Sequence, residues 1–394
     1  MALTTSLVAM SIDTMVPALG TIAHELGASN PNDAGLVLHT FFGGMMCGLL
    51  IYGSVSDSIG RKPTLLLGTT LFIIGNLLCA TASSFGLLLA GRVLAGFGAA
   101  SPRIISIAVV RDVYAGRGMA RVMSFVSVIF ILVPVFAPAI GQGVLAIASW
   151  RVIFAGLIAF AVIDVLWFLL RQPETLPPER RVAFSLRGIA DGIRETFRHP
   201  LTFGYMVSTG FVFGAFVNYL AVVQPLLQEQ YRVGKLFPLY FGILAAGIGV
   251  ASFVNGRLVM RFGMRRLSRI ALLGTSSLSL IAFLGALALG GHPPLWAFIG
   301  YMLPCFFFNG IAFGNFNARA MEPMGKIAGV AAAVTGAVST LVALAIGAPF
   351  SRAYDGTVRP VIAGYMTCGL LALALTTWAE RANARRTALA TERT

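Results

Sequence analysis

The chain has 394 residues, of which 57% are hydrophobic and only 11% are charged, and its formal net charge is +14. Soluble domains carry about 25% charged residues, so this composition excludes an ordinary soluble enzyme or binding domain. The positive charge does not indicate a nucleic-acid partner, because the basic residues lie in short loops between apolar runs, where positive charge orients membrane helices.

Apolar runs recur along the chain, and many are as long as the ~20 residues that a helix needs to cross a bilayer core. This pattern predicts an all-α membrane protein with twelve transmembrane helices. A charged, proline-containing cytoplasmic linker at 172–200 divides them into two pseudo-symmetric six-helix bundles, 1–171 and 201–394, the second ending in a short cytoplasmic tail. The predicted spans are approximately 2–22, 34–55, 64–83, 86–110, 121–147, 150–171, 201–227, 237–259, 268–290, 294–318, 327–349 and 360–379.

Lysine and arginine are distributed unevenly between the two sets of connecting loops. The loops after even-numbered spans and the C-terminal tail contain many basic residues, Arg117 and Lys326 among them. Because basic loops stay in the cytoplasm, we predict a multi-pass membrane protein with both termini cytoplasmic. The loops after odd-numbered spans contain only Arg151, Arg232, Lys235, Arg352 and Arg359.

A short motif occurs once in each predicted half. The segment 53–62 reads GSVSDSIGRK and the segment 256–266 reads GRLVMRFGMRR, so each has two glycines seven residues apart followed by basic residues. The second copy has Met260 where the first has its acidic residue. Related halves are typical of secondary transporters, whose substrate site lies near the bilayer midplane between the repeats.

The first copy, G-x-x-x-D-x-x-G-R-K, resembles the signature loop of the major facilitator superfamily. The segments SIDTMVPAL at 11–19, RVLAGFG at 92–98 and APAIGQ at 137–142 resemble elements of its drug:proton antiporters. The segment SWRVIF at 149–154 resembles the beginning of their sixth span. Together these segments resemble the bicyclomycin/chloramphenicol-resistance (Bcr/CflA) branch, and this resemblance implies the major facilitator fold and proton-coupled export.

The antiporter motif of span 5 is present with two departures. Pro138 and Gly141 occupy motif positions, but Ala137 replaces the first glycine and Gln142 replaces the last. Alanine still permits close helix packing. Gln142 is polar within an apolar span, so we interpret it as a substrate contact or as a helix-to-helix hydrogen bond.

Charged residues well inside the predicted spans are functional candidates, because charge is costly within a bilayer. The resemblance places Arg92 near Asp13, and we predict that this pair carries proton coupling. Protonation of Asp13 would release Arg92, and deprotonation would restore the pair. A structural salt bridge without a role in turnover is the alternative. Asp164 lies in a span that is peripheral in the superfamily, so we favour a buried structural partner over a proton site.

The predicted substrate cavity combines aromatic walls with a few polar groups, as small-molecule pockets do. Arg103 follows Arg92 by eleven residues, about three helical turns, and therefore lies on the same helix face. Its guanidinium would bind an anionic or acyl oxygen of a substrate, or a second carboxylate. An arginine bonded to backbone carbonyls, and ordinary helix packing of the phenylalanines in spans 7 and 10, are the alternatives. The polar candidates are Arg103, Gln142, Asn218, Gln224, Asn309 and Asn317.

The resemblance also implies a charge cluster at the cytoplasmic ends of the helices. Asp57 would face the beginning of span 11 near 325–329, where the helix dipole favours an acidic residue. Such a latch stabilises one closed state and breaks in the other, so it is a gate rather than a substrate site. The predicted gate residues are Gly53, Asp57, Gly60, Arg61 and Asp112.

Enzymatic functions find little support in the sequence. The segment GRKP at 60–63 only imitates the end of a phosphate-binding loop, which requires an earlier glycine and a Ser or Thr after the lysine. The four histidines and four cysteines are scattered and match no metal-binding spacing. We therefore expect no enzyme activity, no metal and no cofactor, and a transporter that is driven by the proton gradient.

The predicted function is proton-coupled export of small amphipathic compounds, or multidrug efflux, by alternating access across the bacterial inner (cytoplasmic) membrane. The partners are a small-molecule substrate, protons and the lipid bilayer, without nucleic acid, and the chain acts as a monomer. One alternative is a narrow-specificity proton-coupled transporter of a metabolite such as a siderophore, sugar or amino acid. Another is a transport-inactive membrane sensor or assembly subunit that keeps the fold.

Overall fold

The computed structural model describes residues 1–391, and within them the chain is helical with no strand. The helices are α1 (Ala2–Asp13), α2 (Leu19–Glu25), α3 (Leu36–Ile59), α4 (Arg61–Ala80), α5 (Phe85–Val113), α6 (Gly116–Ile147), α7 (Arg151–Arg171), α8 (Leu186–Arg198), α9 (Pro200–Pro225), α10 (Phe237–Phe262), α11 (Met264–Ala288), α12 (Leu295–Met321), α13 (Ala328–Arg352) and α14 (Arg359–Thr391). The side chains outside the described set are those of Arg117, Ala120, Ser124, Ser127, Val128, Phe130, Ile131, Leu186, Lys326, Leu389, Ala390 and Thr391.

The predicted fold class is confirmed. Eleven helical segments of the described residues are long and apolar enough to cross a membrane, and each matches one predicted span. The remaining prediction, 121–147, falls in α6, of which Leu132–Ile147 is a shorter apolar stretch. The basic loop residues Arg117 and Lys326 lie outside the described side chains.

Three predicted segments differ in the structure. The first span is broken, because α1 ends at Asp13 and a 3₁₀ turn at Val16–Ala18 precedes α2. The linker contains the amphipathic helix α8, in which Ile189, Ile193 and Phe197 recur at helical spacing. The short tail continues α14 to Thr391, since its alanines and arginines are strong helix formers.

The chain forms two compact units. Unit 1 comprises Met1–Ser185 together with Leu220–Ala246, and unit 2 comprises Leu186–Tyr219 together with Gly247–Thr394. The boundary at Ser185 lies within the predicted linker. The bundles 1–171 and 201–394 themselves stay a prediction.

Small residues allow the helices of unit 1 to approach closely. A Cβ atom added at Gly96 of α5 would lie 1.9 Å from the carbonyl oxygen of Phe41 on α3. Helices in membranes associate through such small residues, because lipid tails leave no hydrophobic drive between apolar surfaces. This crossing places Arg92, one turn earlier on α5, against the backbone of α3.

Candidate functional site

The broken first span places a buried carboxylate at a helix end. Asp13 is the last residue of α1 and is 4% exposed. Pro17 has no N–H to donate to the Asp13 carbonyl, so the α-helical ladder cannot continue through it. The Met15 amide donates to Ile12 O in a tighter turn, which leaves the carbonyl of Ser11 without its usual partner.

Arg92 fills the position that the break opens. Its Nη2 donates to Ser11 O at 3.2 Å, its Nη1 to Ser11 Oγ at 3.2 Å, and its Nε to Val37 O at 3.1 Å. The guanidinium carbon also lies 4.3 Å from the centre of the Phe41 ring. The side chain is fully buried and joins α1, α3 and α5.

The ion pair predicted between Asp13 and Arg92 is not formed in this structure. Among the described residues, no salt bridge within 4.0 Å includes either side chain. Two residues along an α-helix correspond to a rotation of about 200°, so an arginine that binds Ser11 approaches α1 from the side away from Asp13. Arg92 therefore contacts the turn next to Asp13 rather than its carboxylate.

The antiporter motif of α6 packs directly against this break. A Cβ atom added at Gly141 would lie 2.1 Å from Thr14 O and 3.0 Å from Pro17 Cγ, so no larger residue fits without displacement. Ala137 is fully buried one turn earlier, and Pro138 is also buried. The predicted motif residues Pro138 and Gly141 thus lie on the helix that supports the Asp13 segment.

The two other charges inside the spans of unit 1 differ from each other. Arg103 is exposed and makes no hydrogen bond or ion pair among the described residues, so the alternative of an arginine bonded to backbone carbonyls is not observed. Asp164 is 2% exposed; its Oδ1 accepts a hydrogen bond from Thr4 Oγ1 at 2.9 Å, and its Oδ2 has no partner in the described structure. The contact between Asp164 and Thr4 joins α7 to α1, as expected of a structural partner.

The two glutamines predicted for the cavity both belong to unit 1. Gln142 donates from Nε2 to Gly234 O at 3.3 Å, which is a helix-to-loop hydrogen bond. Gln224 lies against Gly20, with its Oε1 2.9 Å from the point that a Cβ atom on that glycine would occupy. Each Oε1 is buried without a partner among the described residues.

The predicted asparagines belong to unit 2 and have different environments. Asn218 is fully buried and donates from Nδ2 to Pro360 O at 3.3 Å, whereas its Oδ1 has no partner in the described chain. Asn309 is 8% exposed and its Nδ2 is unpaired among the described residues. Asn317 donates to Phe313 O within its own helix at 2.9 Å. Asn218 and Asn309 therefore each keep one amide atom unpaired among the described residues, whereas the role of all three asparagines in a substrate cavity stays a prediction.

Aromatic rings connect α9 and α12 within unit 2. Phe306 contacts Phe216 at 5.7 Å and Tyr219 at 5.0 Å between ring centres, both edge to face. Phe213 lies 6.2 Å from Phe313. These contacts support ordinary helix packing for part of the phenylalanine set, and they hold Asn218 and Asn309 on two neighbouring helices.

The gate residues of unit 1 form a compact charge cluster. Arg61 donates from Nη1 to Asp57 at 2.6 Å and from Nε to Asp112 at 2.8 Å, and its side chain is 4% exposed. Gly60 joins α3 to α4 with a φ of 107°, which favours glycine. A Cβ atom at Gly53 would meet nothing within 4 Å in the described structure, so the expected close approach is not observed there. The proximity of Asp57 to 325–329 stays a prediction.

The sequence analysis missed Glu174, which completes this cluster. Its carboxylate accepts from the backbone N–H groups of Arg61, Lys62 and Leu176, each at 3.0 Å, and so caps the beginning of α4. Burial alone would raise the pKa of Glu174, but these hydrogen bonds hold it below the usual value. The available signal was an acidic residue just after the sixth predicted span, which corresponds to α7.

Unit 2 contains a second charge cluster that the sequence analysis also missed. Glu380 of α14 is 7% exposed and accepts two bonds of 3.0 Å from Arg319. Tyr205 donates to the same carboxylate at 2.8 Å, and Arg265 lies 3.5 Å away. The second motif copy has lost its acidic residue, and Glu380 supplies the missing charge from a distant helix. Unpaired basic residues after Gly263 were the only signal.

Comparisons with known proteins agree with this architecture. A model of the Major Facilitator Superfamily matches residues 1–349. The uncharacterized MFS-type transporter YdgK of Bacillus subtilis is 31% identical, with 84% of this chain and 82% of the relative covered. The bicyclomycin resistance protein homolog of Haemophilus influenzae is 28% identical, with 92% of this chain and 90% of the relative covered. The multidrug resistance protein MdtL of Shewanella oneidensis is also 28% identical, with 82% of this chain and 81% of the relative covered. The solved D-xylose-proton symporter has a TM-score of 0.71 at 16% identity, covering 96% of this chain and 95% of its own.

Proposed function

The chain belongs to the major facilitator superfamily, and from this premise we propose that it exports small amphipathic compounds in exchange for protons. Its relatives named as bicyclomycin and multidrug resistance proteins support multidrug efflux. The transporter acts by alternating access as a monomer in the bacterial inner membrane, with both termini cytoplasmic. It is driven by the proton gradient, needs no cofactor, catalyses no chemical reaction and binds no nucleic acid.

The observation that carries the proposal is the buried carboxylate of Asp13 at the break in the first span. An ionisable group buried within a membrane span is costly and therefore marks a functional site by default, so Asp13 is the proposed proton carrier. Arg92 acts on it through the turn that both residues border, because the guanidinium holds the Ser11 carbonyl two residues away. Protonation of Asp13 removes a negative charge beside that turn and alters the packing of α1 on α6.

The proposed substrate class follows from the polar groups available in each unit. The aromatic rings of α9 and α12 offer an apolar surface, and the unpaired amide atoms of Asn218 and Asn309 offer one acceptor and one donor. Lipophilic molecules with a few polar atoms match this combination of rings and amides within unit 2. Arg103 belongs to unit 1 and is there, by itself, an exposed cation without a partner in the described residues.

The test is proton flux in proteoliposomes with an acidic lumen. Chloramphenicol, bicyclomycin and cationic dyes are added while the lumenal pH is followed, in wild type, Asp13→Asn and the control Asp191→Asn, whose carboxylate is exposed on α8. We expect several unrelated compounds to dissipate the gradient in wild type and the control, but not in Asp13→Asn.

Each other outcome has a defined meaning. If the compounds still dissipate the pH gradient in Asp13→Asn, Asp13 is not the proton carrier and Asp164 becomes the next candidate. A response to one metabolite alone would replace multidrug efflux by narrow-specificity transport. The absence of any flux from correctly folded protein would contradict the proposed export.

A further inference from the structure

A groove runs along the outer face of α14 and extends to Phe211 of α9, which lies in the part of that helix that belongs to unit 2. One cavity of 510 Å³ follows α14 from Leu370 to Arg385, and a second of 360 Å³ lies between Phe211 of α9 and Leu371 of α14. Both include Ala374 and Trp378, so they form one continuous surface that we name the α9–α14 groove. Its volume is in the range of roughly 300–1,000 Å³ that small-molecule sites occupy.

The chemistry of the groove changes in one direction along α14. Its lining residues recur at helical spacing over fifteen positions, which corresponds to about 22 Å of helix. The end around Leu370 is apolar, Trp378 follows, and Arg381 and Arg385 lie beyond it. Trp378 is 48% exposed and packs edge to face on Phe203 at 6.2 Å. Tryptophan prefers the membrane–water interface, so the groove passes from the acyl region to the headgroup region.

The two arginines at the polar end are available to a ligand. Arg381 and Arg385 are exposed, and neither makes a salt bridge or hydrogen bond among the described residues. Glu380, the acidic residue next to Arg381 in the chain, is turned to the other face of α14 and is occupied by Arg319 and Tyr205. The positive charge of the groove is therefore not neutralised by the neighbouring carboxylate.

We propose that the α9–α14 groove binds an anionic phospholipid, with one acyl chain along Leu370–Ala374 and the phosphate group between Arg381 and Arg385. The apolar length, the interfacial tryptophan and the paired cations occur in the order in which a phospholipid presents its acyl chain, ester groups and phosphate. Basic pockets beside membrane helices bind anionic headgroups by the same electrostatic attraction. A zwitterionic lipid fits the apolar part equally well but gains less from the two arginines.

The test uses the fluorescence of Trp378 in bilayers that contain brominated lipids, which quench tryptophans in direct contact. In the reporter variant Trp167→Phe/Trp296→Phe, Trp378 is the exposed tryptophan. Trp150 is retained because it is 1% exposed and donates a hydrogen bond to Glu25. In the matched control Trp378→Phe/Trp296→Phe, the exposed reporter is Trp167, which is 59% exposed on α7 and has one arginine, Arg171, over its ring.

We expect the preference for brominated phosphatidylglycerol over brominated phosphatidylcholine to be about fivefold stronger at Trp378 than at Trp167, since Trp378 has two arginines nearby, Trp167 has one, and each arginine near an anionic surface contributes roughly that factor. Arg381→Gln/Arg385→Gln should lower the preference at Trp378 to the value at Trp167 or below it, and high salt should weaken it. The same charge change on α10, Arg257→Gln/Arg261→Gln, should leave it intact.

Three results would overturn the proposal. Equal quenching by both lipids at Trp378 would mean that the arginines do not select the headgroup. A preference that survives removal of Arg381 and Arg385 would place the selectivity elsewhere. Protection of Trp378 from both lipids would mean that protein, such as a second copy of the chain, covers the groove. The readout is independent of transport, so it does not depend on the proposed export.

Discussion

Replacement of Gly141 by alanine tests the contact between α6 and the break in the first span. The added Cβ atom would lie 2.1 Å from Thr14 O, whereas ordinary contact begins at 3.4 Å. The two segments must therefore separate by roughly 1.3 Å, and such overpacking costs about 1–3 kcal/mol. Alanine also stabilises a helix interior by up to ~1 kcal/mol relative to glycine, which offsets part of this cost.

Gly143 on the same helix provides the matched control, because a Cβ atom added there meets nothing within 4 Å in the described residues. Gly143→Ala receives the same gain in helix propensity without the clash. We expect the unfolding free energy of Gly141→Ala to be lower than that of Gly143→Ala by about 1–3 kcal/mol. The export rate should fall in Gly141→Ala alone, since the displaced contact lies one residue from Asp13.

Thermal unfolding in detergent measures the stability difference with a thiol-reactive dye. Cys47 is exposed and would react before unfolding, so it is replaced by serine in every variant. Cys79, Cys305 and Cys368 are buried and become reactive only on unfolding, so they serve as the reporters. Export is measured in proteoliposomes with both variants at equal density. If Gly141→Ala were as stable and as active as Gly143→Ala, the inferred support of the Asp13 segment by α6 would be wrong.

Two further substitutions test the charge clusters. Glu380→Gln should lower the unfolding free energy by about 3 kcal/mol, because it leaves Arg319 without its buried carboxylate partner. The control Glu322→Gln removes a more exposed partner of the same arginine and should cost less than about 1 kcal/mol. Equal losses of stability in the dye assay would contradict this ranking. Glu174 has a pKa held below its usual value, so its contribution to stability is present above the pKa of the unfolded chain and is lost as the pH falls through the lower pKa of the folded state. We expect Glu174→Gln to flatten the acid side of the stability profile and the exposed control Glu179→Gln to leave it unchanged, and parallel profiles for both variants would refute the capping role.

Features that depend on local composition could be predicted from the sequence. A helix in a bilayer must be about 20 apolar residues long, so the spans follow from hydropathy without knowledge of their neighbours. The contact between Asp57 and Arg61 is similarly local, because residues four apart share one face of a helix or turn. Asp164 also has the structural partner expected of it, since a buried carboxylate requires a hydrogen bond.

Which distant residues meet depends on how the helices pack in the folded chain. Glu174 and Glu380 are far along the chain from Arg61 and Arg319, and no local pattern specifies such a pairing. Asp13 and Arg92 were predicted as partners, yet the rotation of α1 and the carbonyl released at its break direct the arginine to Ser11 instead. Hydropathy specifies that a helix is inserted but not its rotation about its own axis, and that rotation follows from close packing such as that of Gly141 against Thr14.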